Sequence, residues 1–185
     1  MPSRLTAADG RTLPPAVGRF LVARARLPDP NFFETVVLLL DYDEVAGAVG
    51  VVINRRTELA VGEATTHSAP LADRADPLYL GGPVALETLT VLLAGDDPPA
   101  SASPVLPGLS VIRDDVALEE LLRGDPPAPA MRFYAGYAGW AGGQLEDEIA
   151  RGVWNLLPGD SRWVFSDHPG DTWERLVRIL FGPTT

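Results

Sequence analysis

The sequence predicts an α+β fold with a largely antiparallel sheet. Short apolar segments follow one another through turns rich in Gly, Pro and Asp, and they do not alternate regularly with helices. Two segments, 116–123 and 172–181, carry apolar residues at helical spacing. The chain has 185 residues and is 46% hydrophobic, which is enough for one ample core. We therefore expect a single domain over 18–185, preceded by a polar, flexible N-terminal arm over 1–17.

The first strands are predicted from apolar patterning. Residues 19–23 alternate as a short strand. Residues 35–40 (TVVLLL) are apolar almost throughout, which indicates a strand covered on both faces. The polar residues 41–44 predict a turn into a second buried strand over 48–54. These two strands are expected to form an antiparallel hairpin.

The middle of the chain has weaker signals. Residues 58–66 are weakly helical, whereas 77–80 and 88–93 are apolar enough for strands. Residues 95–107 (GDDPPASASPVLP) are rich in Pro, Ser and Asp, which predicts an exposed loop.

Two later helices have clear end signals. For the helix over 116–123, Asp115 is the expected N-cap and Gly124 the stop. For the helix over 172–181, Asp171 and Glu174 have the spacing of a capping box.

The remaining elements lie between and after these helices. The predicted strands are 131–138, 153–157 and 162–165, and a short helix is predicted over 144–151. At a two-residue period, the odd-numbered residues from Phe133 to Gly139 face one way and the even-numbered ones the other.

Composition excludes several classes of function. The net charge is −10 and the chain has no lysine, so non-specific binding to nucleic acid is disfavoured. The absence of cysteine excludes disulfides and thiolate chemistry. We find no signal peptide and no apolar run that could span a membrane, and we expect a cytoplasmic protein. No motif indicates a cofactor, and none is expected.

The stretch 134–149 (YAGYAGWAGGQLEDEI) begins with large aromatic residues among the smallest ones and ends in an acidic segment with helical character. Gln144 and Glu148 are four residues apart and share a helix face. The favoured interpretation is a tightly packed strand–turn–helix corner. The alternative is that Gln144 and Glu148 line a ligand cleft beside Tyr137 and Trp140.

Other constellations favour structural roles. Gly81-Gly82-Pro83 resembles an anion loop only loosely, and a turn is the favoured interpretation. Asn54 is expected to bond the local backbone, and Arg55-Arg56 to form a solvated rim. His67 and His168 have no metal-ligand spacing, so no metal site is expected. The candidate ligand-binding set comprises Asn54, Gly81, Gly82, Tyr137, Trp140, Gln144 and Glu148.

Six short motifs occur in an order that resembles the AlgH/YqgE family of small bacterial proteins. The motifs are Asp29-Pro-Asn-Phe32, Gly47–Asn54, Gly81-Gly-Pro-Val84, Gly136–Trp140, Gly143–Glu146 with Glu148, and Gly152 with Trp154. Two positions depart from the family pattern. Arg56 stands where proline is common, and Tyr42 stands where many members have histidine. Any role of that histidine does not transfer to this chain.

The resemblance implies a branched sheet, part of it closed into a small barrel, surrounded by helices. The family carries a transcriptional-regulator label, but its biochemistry is mostly uncharacterised. The sequence has no recognisable helix-turn-helix, so direct regulation of transcription is the least favoured function. A non-catalytic binding or regulatory protein, with a small molecule or a protein as partner, is favoured. The alternative is an enzyme that acts on a small polar metabolite through a carboxylate base, Glu146 or Glu148.

Overall fold

The computed structural model describes residues 13–25, 27, 29–65, 70–124 and 130–182. Within this part of the chain, ten strands form one sheet. The strands are β1 Arg19–Ala23, β2 Val36–Asp43, β3 Gly47–Val52, β4 Arg56–Ala60, β5 Pro77–Leu80, β6 Val84–Ala94, β7 Ser103–Leu106, β8 Leu109–Ile112, β9 Met131–Trp140 and β10 Trp154–Pro158. The helices are α1 Val61–Ala64, α2 Asp115–Arg123, α3 Gln144–Ala150, α4 Ser161–Val164 and α5 Thr172–Phe181, with a 3₁₀ turn at Pro169–Asp171.

The sheet branches at β9. Its main path runs β10-β1-β2-β3-β9-β6-β8-β7, and β5 joins β9 from the side and carries β4 at its outer edge. The β5–β9 pair is parallel, and the other pairs are antiparallel. The sheet curls into a half-barrel with a few helices. The predicted α+β class with a branched, largely antiparallel sheet is therefore confirmed.

The central strand β2 separates two apolar clusters. Residues 36–40 are all buried. Val36, Leu38 and Leu40 belong to one cluster, and the two residues between them belong to the other. This alternation follows from the two-residue period of a strand, and it confirms that β2 is covered on both faces. A third cluster lies under β6, β8 and β9, where α2 contributes Leu118.

The hairpin of β2 and β3 is confirmed, but its turn lies later than predicted. Asp41, Tyr42 and Asp43 continue β2 and pair with β3. The carboxylate of Asp43 accepts hydrogen bonds from the backbone N–H groups of Val45 and Ala46 at 2.9 and 2.7 Å. These bonds fix the turn after Asp43, so residues 41–43 form the end of the strand, with Asp41 and Asp43 exposed and Tyr42 partly buried.

Elements at the edge of the sheet were predicted wrongly. Of the predicted helix 58–66, residues 58–60 form the end of the strand β4 and residues 61–64 the single turn α1. The predicted loop 95–107 contains β7, which pairs with β8, a strand that the sequence analysis did not predict. β4 and β7 are each paired on one side only, so they lack the buried alternation that reveals central strands.

Two predictions of helix ends and one of a strand were also wrong. Residues 162–165 were predicted as a strand, but they lie at α4, whose Asp160 cap accepts from the backbone N–H of Arg162 at 2.9 Å. The N-cap of α2 is Asp114, which accepts from Ala117 N at 2.8 Å. Asp171 precedes α5 as predicted, but its side chain makes no capping hydrogen bond.

The helix α5 covers the sheet as its pattern predicted. Trp173, Leu176, Val177 and Leu180 pack on the cluster that contains Phe20. The predicted arm 1–17 stays a prediction, since residues 1–12 lie outside the described residues. His67 also lies outside them.

Candidate functional site

The strand β9 changes its side-chain pattern at Gly136. Phe133 packs in the third cluster and Tyr134 in the first, as alternation requires. Tyr137 also packs against the first cluster, while Trp140 lies in the second. Gly136 adopts a left-handed conformation with φ of 69°, which favours glycine. The predicted strict alternation over 133–140 is therefore wrong beyond this residue.

Gly81 and Gly82 lie where the β5 end crosses β9. The Gly81 N–H donates to Ala135 O at 2.8 Å, and Gly81 O accepts from Val52 N at 2.7 Å. A Cβ atom on Gly81 would lie 2.3 Å from Gly136 O, and one on Gly82 would lie 2.1 Å from the carbonyl carbon of Tyr137. The glycines thus permit close backbone contact. The N–H of Gly81 is already committed to this contact.

Asn54 clamps the start of β2. Its Oδ1 accepts from Val36 N at 2.9 Å, and its Nδ2 donates to Glu34 O at 2.9 Å. The side chain is buried. The sequence analysis expected a bond to the backbone nearby in sequence, but the partners lie 18 and 20 residues earlier. The antiparallel hairpin explains this difference, because it places the end of β3 beside the start of β2.

A partly buried carboxylate group joins two tryptophans at the β9–α3 corner. Oε2 of Glu148 accepts hydrogen bonds from Nε1 of Trp140 at 2.9 Å and from Nε1 of Trp154 at 2.8 Å. Its Oε1 accepts from Nε2 of Gln144 at 3.0 Å. Both tryptophans are buried. Glu148 therefore fixes residues from β9, β10 and its own helix.

Phe32 completes this group of rings. It stacks on Trp140 with centroids 6.2 Å apart and meets Trp154 edge-on at 5.5 Å. The two indoles meet edge-on at 6.0 Å. These are favourable aromatic geometries. We call Phe32, Trp140, Glu148 and Trp154 the indole cluster.

Two further bonds hold α3 at the corner. Oε1 of Gln144 accepts from Ala141 N at 3.1 Å, so this side chain closes the turn before the helix. The hydroxyl of Tyr42 donates to Oε1 of Glu146 at 2.5 Å. The hydrogen bond to the Glu146 carboxylate stabilises the protonated form of the phenol, and partial burial disfavours its ionised form. Together they raise the pKa of Tyr42 to about 12.

The indole cluster unites residues from four of the six sequence motifs, and comparison with known proteins agrees. A family model described as AlgH-like matches residues 20–184. The chain belongs to the AlgH-like family. A UPF0301 protein of Streptomyces coelicolor is 40% identical over 166 residues, which cover 87% of this chain and 84% of that protein. One from Chlorobaculum tepidum is 38% identical, with 89% and 87% covered.

Solved structures support the AlgH-like fold. A protein from Corynebacterium diphtheriae matches with a TM-score of 0.76 and 25% identity, covering 91% of this chain and 88% of that one. The AlgH protein of Pseudomonas aeruginosa, solved in solution, matches with a TM-score of 0.72 and 28% identity, covering 94% of each chain. The comparisons identify the family, and they assign no activity to the AlgH-like chain.

The seven predicted site residues occupy three places in this AlgH-like protein. Trp140, Gln144 and Glu148 form one hydrogen-bonded group. Gly81, Gly82 and Tyr137 meet at the backbone crossing, and Asn54 lies at the start of β2. The candidate ligand-binding set predicted from the sequence did not include Phe32, Tyr42 or Trp154. For Phe32 and Trp154 a signal was present, since both lie in the quoted motifs.

The described parts of the AlgH-like chain contain no group of three or more His, Cys, Asp or Glu residues placed to hold a metal ion. Among the helices of these parts, none is long and apolar enough to cross a lipid bilayer.

Proposed function

We propose that this AlgH-like chain is a non-catalytic binding protein and that its β9–α3 corner receives a small molecule or a protein. The observation that carries the proposal is the threefold engagement of Glu148 by Trp140, Trp154 and Gln144. By accepting these three hydrogen bonds, the carboxylate holds the two indoles and the Gln144 amide in fixed positions. The corner is therefore a rigid support for neighbouring exposed groups, as binding sites require.

The exposed groups around this support are polar and mainly acidic. Gln144 and Asp147 are exposed on α3, and Asp43 and Glu44 are exposed at the end of the β2–β3 hairpin. The N–H of Gly143 donates to Glu44 O at 3.2 Å, which places this hairpin beside α3. A partner that offers hydrogen-bond donors or positive charge fits such a surface.

The enzyme alternative has less support from the geometry. Its candidate bases were Glu146 and Glu148. Glu146 accepts the Tyr42 hydroxyl, and Glu148 accepts the two indoles. Both carboxylates thus already serve structural contacts, whereas a general base must lie within hydrogen-bond reach of the substrate proton. Direct binding to DNA also has less support, because the net charge is −10.

The indole N–H groups give a direct test of the proposal. Uniformly ¹⁵N-labelled protein would be mixed with pools of metabolites at millimolar concentration, and the indole resonances would be followed by NMR. We expect at least one pool to shift the Trp140 and Trp154 signals while Trp163, which stacks on Arg175, stays in place. Gln144→Ala, which removes an exposed amide, should weaken that response.

Two results would contradict the proposal. If neither the metabolite pools nor basic peptides added in the same way shift the two signals, the corner is not a binding site. If a pool compound is consumed at a rate that Glu148→Gln abolishes, and the variant is folded, the corner is catalytic.

A further inference from the structure

The turn that carries Phe32 is docked on the sheet by one arginine. We call residues 29–34 the Phe32 turn, and most of them are exposed. The guanidinium group of Arg55 donates three hydrogen bonds to carbonyl oxygens of this turn. Nη1 donates to Asn31 O at 2.7 Å, and Nη2 donates to Pro30 O and Phe33 O at 3.1 Å each.

The backbone of Arg55 is itself fixed in the sheet. Its carbonyl oxygen accepts from Leu80 N at 2.9 Å, so the residue extends the pairing of β4 with β5. The preceding residue, Asn54, also holds the turn, because its Nδ2 donates to Glu34 O at 2.9 Å. The sequence analysis expected Arg55 and Arg56 to form a solvated rim. For Arg55 that prediction is wrong, because its side chain is partly buried and bonded to the turn.

Little apolar packing holds the Phe32 turn in place. Phe33 is 48% exposed, whereas Phe32 packs against the second apolar cluster. Glu34 has a left-handed conformation with φ of 52°, which is strained for a residue other than glycine. Such a conformation persists only where surrounding contacts hold it. The bonds from Arg55 are contacts of this kind, and hydrogen bonds from a charged donor are stronger than neutral ones.

The shape of the guanidinium group suits this task. Its planar fork presents five N–H donors in fixed directions, so one group reaches three carbonyl oxygens at once. A lysine ammonium group is a compact point charge without this fork. Arginine at position 55 is therefore specific to the docking of the turn, and a positive charge alone does not replace it.

We propose that Arg55 is a positioning residue for the β9–α3 corner, because it holds the Phe32 ring on the two indoles. This ring meets Trp140 with centroids 6.2 Å apart and Trp154 at 5.5 Å. Release of the turn withdraws the ring and opens one side of the indole cluster to water. As a control of binding, the inference rests on the proposed function of the corner, whereas the coupling of Arg55 to the indoles does not.

Arg55→Ala tests this coupling in the ¹⁵N-labelled full chain without any ligand. We expect the indole N–H signals of Trp140 and Trp154 to shift and their protons to exchange with water about tenfold faster, because the turn opens more often. The Trp163 signal should stay in place, which shows that the variant is folded. Arg56→Ala is the matched control, because Arg56 is adjacent and exposed, and successive side chains of an extended chain face opposite ways.

Chemical rescue separates positioning from a general loss of stability. Millimolar methylguanidinium can occupy the space that Arg55→Ala vacates and bond to the same carbonyl oxygens. It should return the two indole signals toward their parent positions. Methylammonium has the charge without the fork and should not. Arg55→Lys should also leave the indole signals perturbed, and it provides the comparison with Arg56→Ala if Arg55→Ala does not fold.

Three results would overturn the proposal. They are indole signals that Arg55→Ala and Arg55→Lys leave unchanged, equal effects at positions 55 and 56, and rescue by neither cation or by both alike.

The metabolite pools distinguish this proposal from the proposed function. A pool that shifts the indole signals of the parent should lose its effect in Arg55→Ala and regain it with methylguanidinium. If the pool acts on the variant as on the parent, Arg55 does not position the binding corner. If no pool acts on the parent, the proposed function fails, and the ligand-free comparison still decides whether Arg55 positions the indole cluster.

Discussion

Trp140 and Trp154 donate their indole N–H groups to one oxygen atom, Oε2 of Glu148, at 2.9 and 2.8 Å. The two tryptophans belong to β9 and β10, which are not neighbours in the sheet. A single carboxylate on α3 therefore ties two distant strands to one helix. Hydrogen bonds to a charged acceptor are stronger than neutral ones, so this tie matters for stability.

Substitution of Glu148 by Gln should reduce the free energy of unfolding by about 1–3 kcal/mol. The amide keeps one acceptor oxygen, but it loses the charge and places an NH₂ group where the carboxylate had its second oxygen. Urea unfolding followed by tryptophan fluorescence measures the change. Asp147→Asn is the matched control on the same helix, because Asp147 is exposed and should contribute less than about 1 kcal/mol through the helix dipole. Equal stability of the two variants would refute a structural role for the carboxylate.

Substitution of Gly136 by Ala should destabilise the protein by roughly 3 kcal/mol or more, because the strain of a left-handed backbone and a steric clash of the new Cβ atom add. The residue has φ of 69°, and a Cβ atom would lie 2.5 Å from Gly82 O and 2.9 Å from Val84 O. Both contacts are with backbone atoms that cannot rotate away.

Gly139 is the control for Gly136 on the same strand. A Cβ atom there would meet only the Tyr137 ring, at 3.4 and 3.8 Å, which are ordinary contact distances. Gly139→Ala should change stability by no more than about 0.5 kcal/mol. Thermal and urea unfolding of both variants give the comparison, and similar stabilities would show that the left-handed turn at Gly136 is not required.

The sequence predicted the central elements of the fold well because burial leaves a pattern. β1, β5 and α5 have the predicted bounds, and the uniformly apolar residues 36–40 form the covered strand β2. β4 and β7 left no such pattern. Their side chains are mostly exposed or partly exposed, and Pro104 is tolerated in β7 because an edge strand can lack an N–H donor.

The site was predictable only where its contacts are local in sequence. Gln144 and Glu148 are one helical turn apart, so their shared face followed from helix geometry. Tyr42 bonds Glu146 across 104 residues of sequence, and no short-range pattern reveals such a pair. The change of face at Gly136 was missed for a different reason. Strand periodicity assumes extended residues throughout, and one left-handed residue breaks it.

The bond between Tyr42 and Glu146 predicts an alkaline loss of stability. The pKa of Tyr42 is raised from 10.0 to about 12 in the folded protein. A group with a raised folded pKa contributes stability that is complete below the unfolded value and is lost as pH rises through the folded value. The free energy of unfolding should therefore fall as pH rises from 10 to about 12.

Tyr42→Phe isolates this contribution. The variant should have lower stability than the parent below pH 10 and should converge with it toward pH 12, since it has no phenol proton to lose. Burial also raises the pKa of Tyr134, but Tyr134 is present in both chains and cancels in the difference. Urea unfolding across this pH range measures both curves, and parallel curves would exclude a stabilising bond.

Substitution of Ser110 by Ala should stabilise the protein by about 1 kcal/mol, which is unusual for a buried residue. The Ser110 hydroxyl is buried and has no hydrogen-bond partner in the described part of the chain, so its removal relieves a desolvation cost. Thr35→Val provides the opposite case, because the buried Thr35 hydroxyl donates to Phe32 O at 2.9 Å and its loss should cost about 1 kcal/mol. Urea unfolding of the two variants gives the comparison. If Ser110→Ala is destabilising, the hydroxyl makes a hydrogen bond in the folded protein and the prediction is wrong.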